Sequence, residues 1–398
     1  MRHSSVWGGA VLALLAISCI HQLGTGLVVA LVPMRLAIEG FAAWVAGAMS
    51  TAFSVGFLLG CLAAPKIVAR VPARAAIAVC ALANAACAAA LWLYPDPIAW
   101  CAARFTGGAF IACMWVVIEA WFGQRSNAAN RGAVFGAYML TSRVAFVIAQ
   151  AALAWTDPRI GALFLIAAGF YAVSWLPVLA ARDAPPRIHP KAAPGSLAIV
   201  HLAPAAAAGS LIHGLITTAQ PALFPIYGVG LGLGMDRIAL GLAAIQFGGM
   251  VLQLPLAFAS DRWGRRKIMV VAAFATAALS FAAFYAPVSS SPLLLVALSA
   301  WGGAPAVIYS LAIAHANDRV DDHQRIAASS GLLMLWGLGA ALGPMAASVL
   351  MDSLGHAALF AFTGGLAVVL GAFLIWRRIV RKPVTARKPL EGAIAPPG

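Results

Sequence analysis

Charge is what this chain has least of. Asp, Glu, Lys and Arg together make up 10% of its 398 residues, and only 12 residues are acidic. A water-soluble domain carries about a quarter charged residues, so there is too little polar surface here to cover a soluble globule. Alternation of apolar and polar residues is also lacking. The apolar stretches are continuous, which excludes a barrel and leaves helices, the other architecture that satisfies its own backbone in lipid. The spans contain no His-x-x-x-His, no paired aspartates and no Gly-x-Ser-x-Gly. An intramembrane enzyme built on a metal cluster or on a nucleophile and base therefore has no candidate constellation. There is no Walker-type glycine loop, hence no sign of ATP hydrolysis, and no cofactor is called for. The cysteines Cys19, Cys61, Cys80, Cys87, Cys101 and Cys113 fall in apolar spans of the first half without paired metal spacing. They read as small core residues.

What is present is apolar: 63% of residues are hydrophobic and the mean hydropathy is +0.92. The stretches approach the roughly 20 residues that cross a bilayer as a helix. Twelve spans are expected, at about 7–31, 42–63, 75–94, 98–121, 132–154, 160–181, 197–218, 237–259, 268–287, 292–314, 327–351 and 357–376. Spans 3 and 4 meet at "YPDP" and spans 9 and 10 at "APVSSSP", both short proline-bearing turns. The first span starts at Arg2, is too long for a secretion signal and lacks a clear cleavage site, so it reads as an uncleaved helix. The fold class is an all-α membrane protein.

The basic excess follows topology. With the N-terminus inside, 21 of the 26 Lys and Arg face the cytoplasm, among them Arg2, Arg70, Arg74, Arg131, Arg182, Arg187, Lys191, Arg262 and Arg265 to Lys267. Three (Arg35, Arg159, Arg237) lie opposite, and Arg104 and Arg143 lie within spans. This bias places both termini in the cytoplasm. The expected setting is a multi-pass protein of the bacterial inner membrane. Anionic lipid headgroups, and not nucleic acid, are the partners that the basic charge implies.

The sequence repeats itself. "IHQLGTGLVVALVP" from Ile20 to Pro33 and "IHGLITTAQPALFP" from Ile212 to Pro225 share Ile-His, then Thr four residues after the His and Pro twelve after it, at an offset of 192. The same offset relates Arg70, Pro72 and Arg74 to Arg262, Gly264 and Arg266, and "GGA" recurs at Gly107–Ala109 and Gly302–Ala304. Two six-helix bundles related by a pseudo-two-fold axis are expected, over 1–181 and 197–377, with a linker at 182–196 and a basic tail at 378–398. Parallel half-repeats of this kind mark transporters whose site lies between the halves near the midplane.

"SDRWGRRK" (Ser260–Lys267) resembles the signature loop of the major facilitator superfamily, and "LVPMRLAIEGF", "GFLLG", "RFTGGAF" and "YSLAIAHANDR" resemble its YcaD-like branch. The resemblance covers all twelve spans. Gly264 permits a tight turn there, and Asp261 can cap or pair nearby groups. The resemblance implies that Asp261, with Arg262, Arg265 and Arg266, helps latch the cytoplasmic side shut. The first-half copy departs from the pattern, with Ala69 at the acid position and Pro72 at the glycine. It also implies a charge network of Glu119, at the end of span 4, with Arg70, Arg74 and Arg131. Proton coupling and simple interfacial placement are the other readings of Glu119. The Gly-x-x-x-Gly-Pro motif that many proton-coupled exporters of the superfamily carry in span 5 is missing; span 11 has "GAALGP" (Gly339–Pro344), which reads as close helix packing.

Within the membrane, Arg143 follows Arg131 by twelve positions, about 18 Å of helical rise, and is expected near the midplane. A charge there costs several kcal/mol unless it meets a cavity or a partner. It reads as a binding residue for an anionic substrate, or as an arginine satisfied by carbonyls between helices. Arg104, Gly108, Trp115 and Glu119 make one helical stripe on span 4, and the resemblance puts that span on the cavity; Arg104 reads as a cavity-facing residue or as one that snorkels to the outer interface. His21 and His213 fall roughly 14–16 residues into spans 1 and 7, in the outer half. Each reads as a substrate or proton group, or as a neutral histidine bonded to a neighbouring helix. Thr25 and Thr217 lie one turn on, and Pro33 and Pro225 are expected to end or kink the helices. Gln22, Gln150, Gln246, Gln253 and Tyr309 are further polar candidates at membrane depth, Tyr309 and Trp301 are expected as walls of span 10, and His315 as a loop anchor.

The expected function is secondary active transport of a small polar or anionic solute by alternating access, coupled to a proton, with a monomer sufficient for transport. The alternatives are a proton-antiporting exporter of amphiphilic compounds, favoured by Trp115, Trp301 and Met114, and a membrane receptor that binds without turnover.

Overall fold

The computed structural model describes residues 8–68, 70–126, 130–181, 198–285, 293–321 and 324–380. Arg2, Ala69, the linker 182–196, the turn "APVSSSP" at 286–292 and the tail from Arg381 onward lie outside the described residues. The remainder is helical, in twelve long elements: α1 Gly9–Ile38, α2 Ala43–Val68, α3 Ala73–Leu93, α4 Pro97–Arg125, α5 Arg131–Ala152, α6 Leu163–Val173, α7 Pro204–Gly230, α8 Met235–Trp263, α9 Arg265–Tyr285, α10 Leu293–Asn317, α11 Arg325–Leu354 and α12 Ala358–Val380. A 3-10 turn at Leu176–Ala180 continues α6.

Eleven of these segments are long and apolar enough to cross a membrane, among the described residues. The exception, α7, has 27 residues and no charged side chain, but it carries His213, Thr217, Thr218 and Gln220. Its polar groups answer a backbone need. Pro305 in α10 and Pro344 in α11 lack an N–H, so the carbonyls four residues earlier, Trp301 and Ala340, lose their helical donors. Gln220 donates to the Trp301 carbonyl at 3.1 Å and Thr218 to the Ala340 carbonyl at 3.3 Å. In lipid such repair from a neighbouring helix is what makes an interior proline tolerable.

Helix boundaries also correct two expectations. Pro33 and Pro225 lie inside α1 and α7 and end neither helix. The seventh span therefore runs to Gly230 and not 218, and His21 and His213 sit near the middle of their helices instead of in the outer half.

The two halves repeat one packing scheme. In the first, α1 packs on α5 and α6, α2 on α4, and α3 on α4 and α6; in the second, α7 packs on α11 and α12, α8 on α10, and α9 on α10 and α12. Small residues allow the closest crossings. A Cβ at Gly56 would overlap the Phe105 carbonyl oxygen, and one at Gly248, its counterpart in the repeat, would overlap that of Ser299. Gly339 and Gly343 likewise seat α11 on the backbone of α7 at Leu211 and Leu215. Between the halves, α2 meets α11, α5 meets α8 and α1 meets α7.

The two ends of the molecule differ. At the end away from the basic loops, the Asp352 carboxylate on α11 accepts from the backbone N–H groups of Ala43 and Trp44, at 2.8 and 2.9 Å, at the start of α2. The Thr51 hydroxyl donates to the Ala341 carbonyl at 2.6 Å, and Gly47 abuts Ser348. At the basic end the described bonds run within one half. Arg74 donates to the Ala181 carbonyl at 2.5 Å, Arg266 to that of Leu374 at 2.7 Å, and Arg265 pairs with Asp318 at 3.0 Å. Glu119, Arg70, Arg131, Asp261 and Arg262 are exposed there. Gly264 closes α8 with a φ of 93°, the turn for which a glycine is needed.

Candidate functional site

Between the halves lies a cavity with two arms, which share Gln22, Phe146, Thr217, Thr218, Gln246 and Trp336 as lining residues. One arm, of about 230 Å³, is walled by Val29, Phe53, Phe57, Ile111 and Trp115, with Thr25 and Arg104 as polar members. Its aromatic rings form a connected set: Phe57 meets Trp115 edge-on at 5.5 Å and Trp336 at 6.1 Å. The other arm, of about 300 Å³, is lined by Arg143, His213, Gln253, Tyr309 and Ser310. Neither arm has an Asp or Glu among its lining residues.

The two arginines are held differently. The Arg104 guanidinium lies 4.3 Å from the centre of the Phe53 ring, a cation–π arrangement that compensates part of its desolvation. Arg143 extends into the polar arm opposite Gly249, and no hydrogen bond or ion pair joins it to another described residue. A cation at the centre of a membrane helix costs about 2.5–3.5 kcal/mol on insertion scales, a cost that an open polar cavity relieves. An arginine there keeps a planar array of donors available to an anion.

The repeated histidines have separated. The His213 Nδ1 donates to the Pro305 carbonyl at 2.9 Å, and its ring stacks on Tyr309 at 5.7 Å, inside the polar arm. Because that carbonyl can only accept, Nε2 remains the nitrogen able to take a proton. His21 is 1% exposed and is not a lining residue; its ring packs 4.7 Å from that of Tyr171 on α6. Thr25 links it to the cavity, accepting from the Tyr171 hydroxyl at 3.2 Å and donating to the His21 carbonyl at 3.0 Å. Of the two readings of His21, its burial against Tyr171 favours the neutral histidine packed on a neighbouring helix. Gln22, one residue on and about 100° round the helix, takes the lining position.

Of the other expected site residues, Gln22, Thr25, Arg104, Trp115, Gln246, Thr217 and Tyr309 line the cavity. Trp301 turns away; it is buried, with its indole N–H on the Ser280 hydroxyl at 2.9 Å. Gly108 faces the α2 backbone at Phe53. Among the described residues, no ion pair joins Glu119 to Arg70, Arg74 or Arg131. Glu119 faces Tyr138 on α5, Arg131 lies two turns further toward the basic end, and Arg74 is drawn to Ala181. Asp261 and Arg262 are exposed and not joined across the halves. Residues not anticipated are Phe53, Phe57, Thr218, Trp336 and Asp352. Aromatic residues are common in apolar helices, so only helix rotation reveals which of them face a cavity.

The Major Facilitator Superfamily profile matches residues 14–245 of the chain and again 206–397. An MFS-type transporter of Enterobacter sp. strain 638 is 26% identical over 367 residues, covering 92% of this chain and 95% of that protein. The MFS-type transporter YcaD of Escherichia coli is 25% identical over 363 residues, 91% and 92% of the two chains. Among solved structures, the nucleoside transporter NupG superposes with a TM-score of 0.75 at 16% identity, over 92% of this chain and 98% of that one. A bacterial homologue of the human lysosomal transporter Spinster, in an inward-facing and occupied conformation, superposes with a TM-score of 0.70 at 14% identity, over 92% and 94%. With its twelve-helix repeat, its central cavity and a profile match running through both halves, the chain belongs to the Major Facilitator Superfamily.

Proposed function

We propose that this multi-pass membrane protein is a secondary active transporter that carries a small anionic solute by alternating access. The observation that supports an anion is the composition of the cavity. It holds two arginines, both without a hydrogen-bond or ion-pair partner among the described residues, and no acidic side chain among the lining residues. A cationic solute would be repelled by both arginines and would find no acidic side chain among the lining residues to pair with. The halves 1–181 and 197–377, joined by 182–196, rock about this site in the bacterial inner membrane. Both termini and the basic loops lie in the cytoplasm, as the positive-inside rule requires. On that orientation the contacts at Asp352, Thr51 and Gly47 close the external side, and the exposed Glu119, Arg131 and Asp261 border the open, cytoplasmic side. Asp261, Arg262, Arg265 and Arg266 come into play as a latch when the carrier turns outward.

Coupling to a proton is assigned to His213, whose Nε2 is the available base in the polar arm beside Arg143. The monomer contains the whole pathway. Counterflow in proteoliposomes tests the proposal: preloaded unlabelled solute should drive transient accumulation of labelled solute. Binding without exchange would identify a receptor and defeat the transport reading.

A further inference from the structure

We infer that the carried anion is amphipathic: a single carboxylate on an aromatic body, with the carboxylate at Arg143 and the ring between Phe57, Trp115 and Trp336. This rests on the anion reading above and narrows it. Three observations carry it. First, the two arms adjoin across six shared lining residues, which lets one elongated molecule reach from one to the other, and each arm alone exceeds the room a two-carbon acid needs. Second, their chemistry is unevenly divided: Arg143, His213, Gln253 and Tyr309 line one arm alone, Phe53, Phe57, Trp115 and Arg104 the other alone, and Gln22, Gln246 and Trp336 line both. A sugar or an acetate-sized anion would leave the rings of the aromatic arm without a partner, whereas a planar ring takes the offset and edge-on contacts that these side chains present.

Third, the cations are unequal. Arg104 lies over the Phe53 ring in the aromatic arm and Arg143 faces the polar arm, and neither has a hydrogen-bond or ion-pair partner among the described residues. The polar arm holds one guanidinium, that of Arg143, and so calls for one carboxylate there, while the other cation is engaged by a ring. The lack of an acid among the lining residues also removes any counter-charge for an ammonium, so aromatic amino acids are poor ligands despite their carboxylate.

The test is binding to purified full-length protein, followed by tryptophan fluorescence and by thermal shift, with 2-naphthoate, acetate, 2-naphthamide, phenylalanine and tetraphenylphosphonium as probes. Naphthoate should bind about 10- to 100-fold tighter than acetate, from burial of the rings. It should also bind about 10- to 100-fold tighter than the neutral amide, from the charge-assisted bonds. In Arg143→Ala the acid and the amide should bind alike, and Arg143→Lys should recover part of the difference. In Trp115→Ala the preference for naphthoate over acetate should shrink. Size-exclusion profiles and midpoints without ligand establish that each variant is folded. Acetate binding as tightly as naphthoate, with both lost in Arg143→Ala, would overturn the amphipathic inference and leave the anion reading standing. Naphthamide equal to naphthoate, or tetraphenylphosphonium binding unaffected by Arg143→Ala, would overturn both. Failure of naphthoate to bind the folded wild type at millimolar concentration would overturn this inference alone.

Discussion

In the first half, the ring of His21 lies 4.7 Å from Tyr171 and is sealed from the cavity; in the second, His213 stacks on Tyr309 at 5.7 Å and lines it. Around both, the backbone device is the same. Thr25 and Thr217 each return a hydroxyl to the carbonyl of the histidine one turn earlier, at 3.0 and 2.7 Å. The repeat has thus kept what shapes a helix and its crossings, such as the Gly56 and Gly248 contacts, while the chemistry facing the solute has become one-sided. Aromatic walls come mainly from α2 and α4, and hydrogen-bonding groups mainly from α7, α8 and α10. Gln22 and Arg143 are the exceptions, reaching from the first half into the polar arm.

The framework is where a substitution should do most damage. Gly56→Val and Gly248→Val both drive a branched side chain into a carbonyl that even a single added Cβ would overlap. Each is expected to abolish recovery of monodisperse protein. Recovery of one but not the other would show that the halves differ in rigidity as well as in chemistry.

The histidines should separate next. His213→Gln is expected to bring proton-driven accumulation down to the equilibrium ratio while counterflow persists, because the pathway remains and the titrating group is gone. His21→Gln should leave accumulation at the wild-type ratio. Accumulation surviving His213→Gln would move coupling to another group.

A smaller effect is expected at Asp352, which the 192-residue offset pairs with the uncharged Ile160 of the first half. Asp352→Ala removes two charge-assisted bonds at the start of α2, worth about 1–2 kcal/mol for a capping interaction. It should raise the outward-open population about 5- to 30-fold. Spin-label distances between the outer ends of α2 and α11 would report it. The smallest effect on binding and transport is expected from His21→Ala, which should cost stability through lost ring packing, about 1–3 kcal/mol, with ligand affinity unaltered. A thermal melt beside a binding curve checks both parts.

Much of this architecture is legible in the residues themselves. Apolar runs mark the helices, the Lys and Arg bias sets an expected orientation, and the 192-residue offset announces two halves that pack by one scheme. Arg143 stands out because a lone cation at membrane depth demands a reason. Rotation about the helix axis is not legible. In a soluble protein polar residues mark the outward face, but α1 is apolar all round, so nothing in the sequence says that Gln22 and not His21 meets the cavity. Asp352 is silent for another reason: its partners lie more than 300 positions away, and from sequence it is simply the last acid of a span. The prolines of α7 mislead because a helix-ending signal in water is tolerated in lipid when a neighbour repairs the backbone.

That repair has a consequence for how the protein is made. A segment carrying His213, Thr217, Thr218, Gln220, Pro221 and Pro225 gains little from partitioning into lipid alone. Two of its side chains are committed to carbonyls on helices that the ribosome has not yet produced when α7 emerges, Trp301 in α10 and Ala340 in α11. Membrane integration of α7 is therefore completed only once α10 and α11 have been synthesised. A chain truncated after α9 should leave α7 poorly inserted, so the first helix of the second half is the last of that half to be secured.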